Sequence, residues 1–137
     1  MAEQIGIIGL GIMGASYARH LAKAGFEVIG CDIDEARIAT LADVGLSRAA
    51  SPAEVVAQVD RIITLLPNAA AFATVSGEIA ETGRPVVVAD TCTLTVAEKE
   101  VGRATLERAG SVLLDCPVGG TGAQAAKGRS RRLRLRR

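Results

Sequence analysis

The chain has 137 residues, 49% of them apolar and 2% aromatic, with fifteen glycines and no tryptophan. That length suffices for one domain with a real core, which Ala, Val, Ile and Leu must build. The net charge is only +1; no apolar run approaches the ~20 residues of a membrane span, and no basic segment leads an apolar one as in a signal peptide.

Taken in order, Gln4–Ile8 reads as a strand, apolar and bounded by glycine. Ile12–Ala24 reads as a helix, with Met13, Tyr17, Ala18, Leu21 and Ala22 on one apolar stripe and Gly25 at C′. Glu27–Cys31 is a second strand. Asp34 caps a helix running to about Val44, stopped by Gly45. Ser47–Ala49 forms a short third strand. Ser51-Pro-Ala-Glu54 is a capping box for a helix to about Gln58. Arg61–Leu66 is a strand ended by Pro67, and Ala69–Glu81 a helix weakened at Gly77. Pro85–Ala89 is a strand stopping at Asp90. Leu94–Ala109 is a helix, and Ser111–Asp115 a strand stopped by Pro117. The apolar runs Ile62–Leu66, Val86–Val88 and Val112–Leu114 suit strands buried on both faces of a parallel sheet.

Gly9, Gly11 and Gly14 form G-x-G-x-x-G between the first strand and the first helix. Gly9 lets the chain turn sharply, Gly11 lets a pyrophosphate reach the backbone, and Gly14 lets the helix pack closely on the sheet. The first-turn N–H groups and the positive helix end then face the phosphates. Asp32 closes the second strand 18 residues after Gly14, near the usual offset of ~20. A carboxylate there accepts hydrogen bonds from the adenosine ribose hydroxyls and repels a 2′-phosphate. NAD is therefore expected over NADP, a preference that Arg37 softens if it reaches the same edge. His20, the only histidine, reads as an ordinary helix residue. The expected fold class is α/β, a Rossmann-like parallel sheet with helices on both faces.

Cys31, Cys92 and Cys116 are odd in number and widely spaced. Neither a disulfide framework nor a metal site is expected, and a reducing cytoplasmic location fits.

Ile7-Ile-Gly-Leu-Gly-Ile-Met-Gly14 resembles the N-terminal signature of the β-hydroxyacid dehydrogenases. That family includes 3-hydroxyisobutyrate dehydrogenase, tartronate semialdehyde reductase and, more distantly, 6-phosphogluconate dehydrogenase. Three later stretches resemble it in order and spacing: Leu65-Leu66-Pro67-Asn68, Asp90-Thr-Cys-Thr93 and Asp115-Cys-Pro-Val-Gly-Gly-Thr-Gly-Ala123. The resemblance covers residues 4–128. It implies that Leu10, Gly11, Ile12 and Met13 line the pyrophosphate and nicotinamide side. It places Leu66 and Pro67 beside a cofactor ribose and Thr93 near the nicotinamide. Read as local structure, Leu66-Pro67 is also a strand terminator and Thr93 an N-cap before Leu94. Gly119, Gly120 and Thr121 occupy the family's substrate-binding segment, where Gly119 replaces a serine and Cys92 replaces another upstream. The implied reaction is reversible hydride transfer between a 3-hydroxy acid, or its semialdehyde, and NAD(P). An imine-reductase-like relative and a non-catalytic nucleotide-binding module are the alternatives.

The family's general acid/base lysine belongs to an interdomain helix, in a segment without counterpart here. Lys127 lies too early, and Lys23 and Lys99 fall on helices of the cofactor domain. No catalytic residue is assigned. Residues 1–128 are expected to form the dinucleotide-binding domain, and 129–137 a basic, non-native tail. That tail holds six arginines and leaves a body of net charge −5. One coding of the family-like strand Gly-Asp-Leu-Val-Val-Phe-Ala-Ser-Gly-Gly, with a single C inserted after its first codon, reads as residues 128–137. The expectation is a frameshifted or truncated chain that binds cofactor weakly and does not turn over. The parent enzyme would act on a small hydroxy acid as a homo-oligomer, with no membrane or specific nucleic-acid partner. Loss of its C-terminal helices would leave apolar surface exposed.

Overall fold

In the computed structural model, which describes residues 2–119 and 131–132, strands and helices alternate. They run β1 (Gln4–Ile8), α1 (Ile12–Lys23), β2 (Glu27–Cys31), α2 (Glu35–Ala39), β3 (Ser47–Arg48), α3 (Pro52–Val56) and β4 (Arg61–Thr64). Then follow α4 (Ala69–Glu81), β5 (Val87–Asp90), α5 (Val96–Glu107), β6 (Val112–Asp115), β7 (Val118–Gly119) and β8 (Arg131–Arg132). The first six strands form one parallel sheet in the order β3-β2-β1-β4-β5-β6. β7 and β8 pair antiparallel, Val118 with Arg132 and Gly119 with Arg131. Two residues of the expected tail are thus strand-paired; the rest of 129–137 lies outside the described residues, as do Gly120, Thr121 and Lys127.

Pleating divides β1 between two cores. Ile7 joins Leu10, Ala18, Val28, Ile38 and Leu41, beneath α1 and α2. Ile8 joins Val55, Val56, Val59, Ile62, Ile79 and Leu106, beneath α3, α4 and α5. Ile7, Ile62, Ile79 and Leu106 are essentially sealed from solvent, each contributing roughly 1.5–3 kcal/mol of transfer free energy. Helices therefore cover both faces at the centre of the sheet. On the α1 side the cover stops short, and Val87, Val112 and Leu114 of β5 and β6 stay exposed. The expectation that the runs Val86–Val88 and Val112–Leu114 are buried on both faces is corrected here: one face of each is covered by α3 to α5 and the other is open.

The stripe expected on α1 is only partly sealed. Ala18 is buried, Tyr17, Leu21 and Ala22 pack against the core from its margin, and Met13 turns to the cleft described below. Gly25 ends the helix at φ 97°, a left-handed conformation that suits C′.

Several boundaries differ from the sequence reading. α2 stops at Ala39 and a 3₁₀ turn covers Ala42–Val44; the Thr40 hydroxyl donates to the Arg37 carbonyl at 2.8 Å, a local bond that competes with helix continuation. Only half of the box at Ser51 forms: Ser51 Oγ accepts from Glu54 N, while Glu54 reaches back to the Ala50 amide. β4 ends at Thr64, because the Leu66 amide leaves the ladder for Cys92 Sγ. β5 starts at Val87, since Pro85 has no N–H and the Val86 amide donates to Ser111 Oγ. α5 opens at Thr95, whose hydroxyl and Glu98 form a complete capping box. Thr93 is therefore not its N-cap.

Candidate functional site

The order of strands reverses between β1 and β4, where connections leave in opposite directions. In open parallel sheets such a switch point opens a crevice at the carboxyl edge. A cleft of about 960 Å³ lies there.

Its floor is the glycine loop. Gly9 holds φ 98°, and a Cβ there would stand 2.2 Å from the Leu65 carbonyl oxygen. A Cβ on Gly14 would stand 1.9 Å from the Gly9 carbonyl oxygen. Both glycines are demanded by the protein's own packing. Gly11 is different: the nearest atom to its Cβ position is Arg37 Nη1 at 3.8 Å, an ordinary contact. The apo fold would accept a methyl group at that position, and the space it would fill belongs to the cleft.

The helix above the loop is set apart by its cap. Asp34, Ser51, Asn68 and Thr95 each accept a first-turn amide of their helices, α2 to α5. α1 begins at Gly11 with no side-chain cap and no acidic residue in its first turn. Helix-start amides have no partner within the helix, so this end of α1 presents N–H groups and positive dipole to the cleft.

Gly9, Gly11, Ile12, Met13 and Gly14 line the cleft from below, and Leu66, Pro67 and Thr93 from the β4 and β5 ends. Asp32 lines it from the end of β2. Leu10 does not: its side chain is buried against Gly30, and its amide donates to Asp32 Oδ2 at 2.7 Å. Of the four residues expected on the pyrophosphate and nicotinamide side, Leu10 alone does not line the cleft, and its N–H is committed to the protein. Gly119 closes β7, and its backbone alone is described.

The Asp32 carboxylate is nearly sealed, at 4% exposure, and is well satisfied. Oδ2 accepts from Leu10 and Oδ1 from the Asp34 amide at 2.8 Å. Arg37, half exposed, places Nη1 3.7 Å from Asp32 Oδ2 and Nε 3.7 Å from Asp34 Oδ2. Arg37 does reach the edge that Asp32 occupies.

Other residues that the sequence did not mark as site residues also line it: Tyr17 on α1, Ser51 at the start of α3, and Thr74 and Glu78 on α4. Cys92 was read only as a replaced serine. Its thiol donates to the Leu66 carbonyl and accepts the Leu66 amide, each at 3.3 Å. The two turns that flank the cleft are joined by that residue. Burial, then hydrogen bonding and charge from Asp90, push this thiol up to about 12. Burial and the Asp32 charge push Cys31 to about 11. Both sulfurs stay protonated at neutral pH and are poor nucleophiles. Among the described residues no lysine lines the cleft and no cluster of potential metal ligands occurs.

Residues 4–131 match the family model for the NAD binding domain of 6-phosphogluconate dehydrogenase. The chain is similar to the L-threonate dehydrogenase of Cupriavidus necator, 38% identical over 134 residues, covering 93% of this chain and 44% of that protein. It is 33% identical to human mitochondrial 3-hydroxyisobutyrate dehydrogenase over 124 residues, covering 87% and 37%. Among solved structures, the 3-hydroxyisobutyrate dehydrogenase of Mycobacterium tuberculosis with L-serine superposes with a TM-score of 0.89 at 30% identity, over 95% of this chain and 45% of that one. An imine reductase from Pseudomonas sp. shares the fold, with a TM-score of 0.84 at 21% identity, over 90% and 44%. The chain spans less than half the length of these relatives. With the glycine loop, the uncapped helix and the acid at the end of β2, the match shows that the chain belongs to the family of NAD-binding domains of the 6-phosphogluconate dehydrogenase type, which it shares with 3-hydroxyacid dehydrogenases.

Proposed function

We propose that the cleft holds NAD(H) for a dehydrogenase acting on a 3-hydroxy acid or the matching semialdehyde. The observation that carries this is Gly11: no protein atom needs the absence of its Cβ, yet it stands over an uncapped helix end. In this reading the amides of Ile12 and Met13 and the α1 dipole hold the pyrophosphate. Asp32 holds the adenosine ribose, and Leu66, Pro67 and Thr93 flank the nicotinamide end. Bound NAD supplies the hydride acceptor.

Asp32 favours NAD over NADP, because a 2′-phosphate would meet a carboxylate. Arg37 weakens that discrimination by placing a guanidinium beside the same carboxylate. The described lining holds no lysine to act as general acid or base. In this reading the described residues bind and orient the cofactor and supply no lysine to move the substrate proton. The 137-residue chain is expected to bind cofactor without turnover.

Fluorescence titration with NADH tests the binding, and absorbance at the NADH band with 3-hydroxyisobutyrate or L-threonate tests the turnover. Saturable binding without NADH formation is the expected result. No binding would end the cofactor reading; hydroxy-acid-dependent NADH formation would overturn the assignment of inactivity.

A further inference from the structure

Lys99 is the buried cation that the cofactor reading does not use. It sits on α5, nine-tenths buried, away from the cleft. Its ammonium donates to Asp90 Oδ2 and lies 2.8 Å from Asp115 Oδ1. It also stands 5.7 Å from the centroid of the Phe72 ring on α4, within cation–π range. Asp90 is fully sealed, and its other oxygen accepts from Thr64 Oγ1 at 2.6 Å.

These groups share one row of the sheet. Thr64 pairs with Asp90, and Asp90 with Asp115, so the last residues of β4, β5 and β6 lie side by side. One ammonium ties two of them, and Asp90 passes the tie to the third. The hydrogen bond between Lys99 and Asp90 also closes a loop spanning nine positions of sequence. That loop carries Thr91, Cys92 and Thr93, which line the cleft. From it, Thr91 bonds twice to the Thr64 carbonyl, through its amide at 3.1 Å and its hydroxyl at 2.9 Å. Cys92 bonds to Leu66 in both directions. Thr91 is thus held to the end of β4 and Cys92 to Leu66 just beyond it, while Lys99 ties Asp90, which precedes the turn, to α5.

We infer that Lys99 is a positioning residue for the nicotinamide end of the cleft, acting through Asp90 on the Thr91–Thr93 turn. The inference rests on the cofactor reading above. It concerns one end of the cleft: the glycine loop and Asp32 follow β1 and β2 and share no hydrogen bond with this network among the described residues. Loss of Lys99 should therefore weaken a ligand that spans the whole cleft and spare one confined to the adenosine end.

The test compares NADH with ADP, titrated against the full chain as wild type and as Lys99→Met. The expected result is a rise of about tenfold in Kd for NADH, with Kd for ADP unchanged within about twofold. Removing one partner of a buried ion pair strands the other, so the double variant Lys99→Met with Asp90→Asn serves if the single variant does not fold. It removes both charges and is expected to show the same selective loss. Lys99→Arg, which keeps the cation, should restore part of the NADH affinity. Equal shifts for the two ligands, or none for NADH, overturn the inference while leaving the cofactor reading intact. A wild type that binds neither ligand overturns both.

Discussion

The backbone amide of Leu10 donates to the carboxylate of Asp32 at 2.7 Å, tying the glycine loop to the end of β2. The residue that reads as a ribose acceptor is therefore also a structural staple. Asp32→Ala should leave two amides, those of Leu10 and Asp34, without their acceptor. Each such loss costs about 1–3 kcal/mol where the donor is buried. Thermal melting should show a clear drop, and NADH affinity should fall with it. A variant as stable as the wild type would show that the staple is idle.

The three loop glycines separate folding from binding. Gly14→Ala places a methyl group against the Gly9 carbonyl and should unfold or strongly destabilise the chain. Gly11→Ala meets nothing closer than 3.8 Å. It should melt at the wild-type temperature and bind NADH at least about tenfold more weakly, the cost of a steric clash at the pyrophosphate. Circular dichroism and titration on the two variants read out both effects.

Arg37→Ala should sharpen the choice of cofactor. It removes the cation 3.7 Å from Asp32 and leaves the carboxylate to repel a 2′-phosphate. The ratio of Kd for NADPH to Kd for NADH is expected to rise by about tenfold, as for loss of one charge contact. A ratio that stays constant would remove Arg37 from the specificity argument.

Alkaline conditions should destabilise the fold in two stages. Cys31 and Cys92 keep their protons in the folded chain to about 11 and about 12, against an ordinary 9.0. The folded state then binds more protons than the unfolded one, so stability falls as pH rises from about 9. Lys99 follows. Burial works to lower its pKa, but the hydrogen bonds and charges of Asp115 and Asp90 outweigh burial and raise it above 10.5. Its contribution is fully present below pH 10.5 and is lost as pH climbs through the raised value. Urea midpoints from pH 8 to 11 measure this. The double variant Cys31→Ser with Cys92→Ser should delay the onset of the decline.

Thiol chemistry should follow the same burial. Cys116 is the partly exposed sulfur, while Cys31 and Cys92 are buried. Iodoacetamide at pH 8, followed by peptide mass spectrometry, should modify Cys116 first.

Much of this was legible in the residues, and the reasons are local. Gly9, Gly11, Gly14 and Asp32 mark a strand, turn, helix and strand whose spacing is set by chain geometry. The alternation of apolar runs with helical stripes gave the parallel sheet. Lys99 was not legible: a lysine amid Glu98 and Glu100 reads as a solvated face. Only the register that puts Asp90 beside Asp115 turns it inward. The start of α5 was misplaced because Thr93 and Thr95 both fit a cap. The Glu three residues after Thr95 was the available signal. Glu78 and Thr74 reach the cleft by tertiary packing of α4, which no spacing along the chain encodes.

The switch point that opens the cleft also lies deepest in the sheet. Among the described residues, β1 and β4 are paired on both sides, whereas β3 and β6 are edges. Local opening starts at edges. Amides of Ile7 and Ile63 should exchange with deuterium only when the whole domain unfolds, and those of β6 well before. The glycine loop that follows β1 inherits that persistence. On warming, it should be among the last parts of the described chain to dissolve.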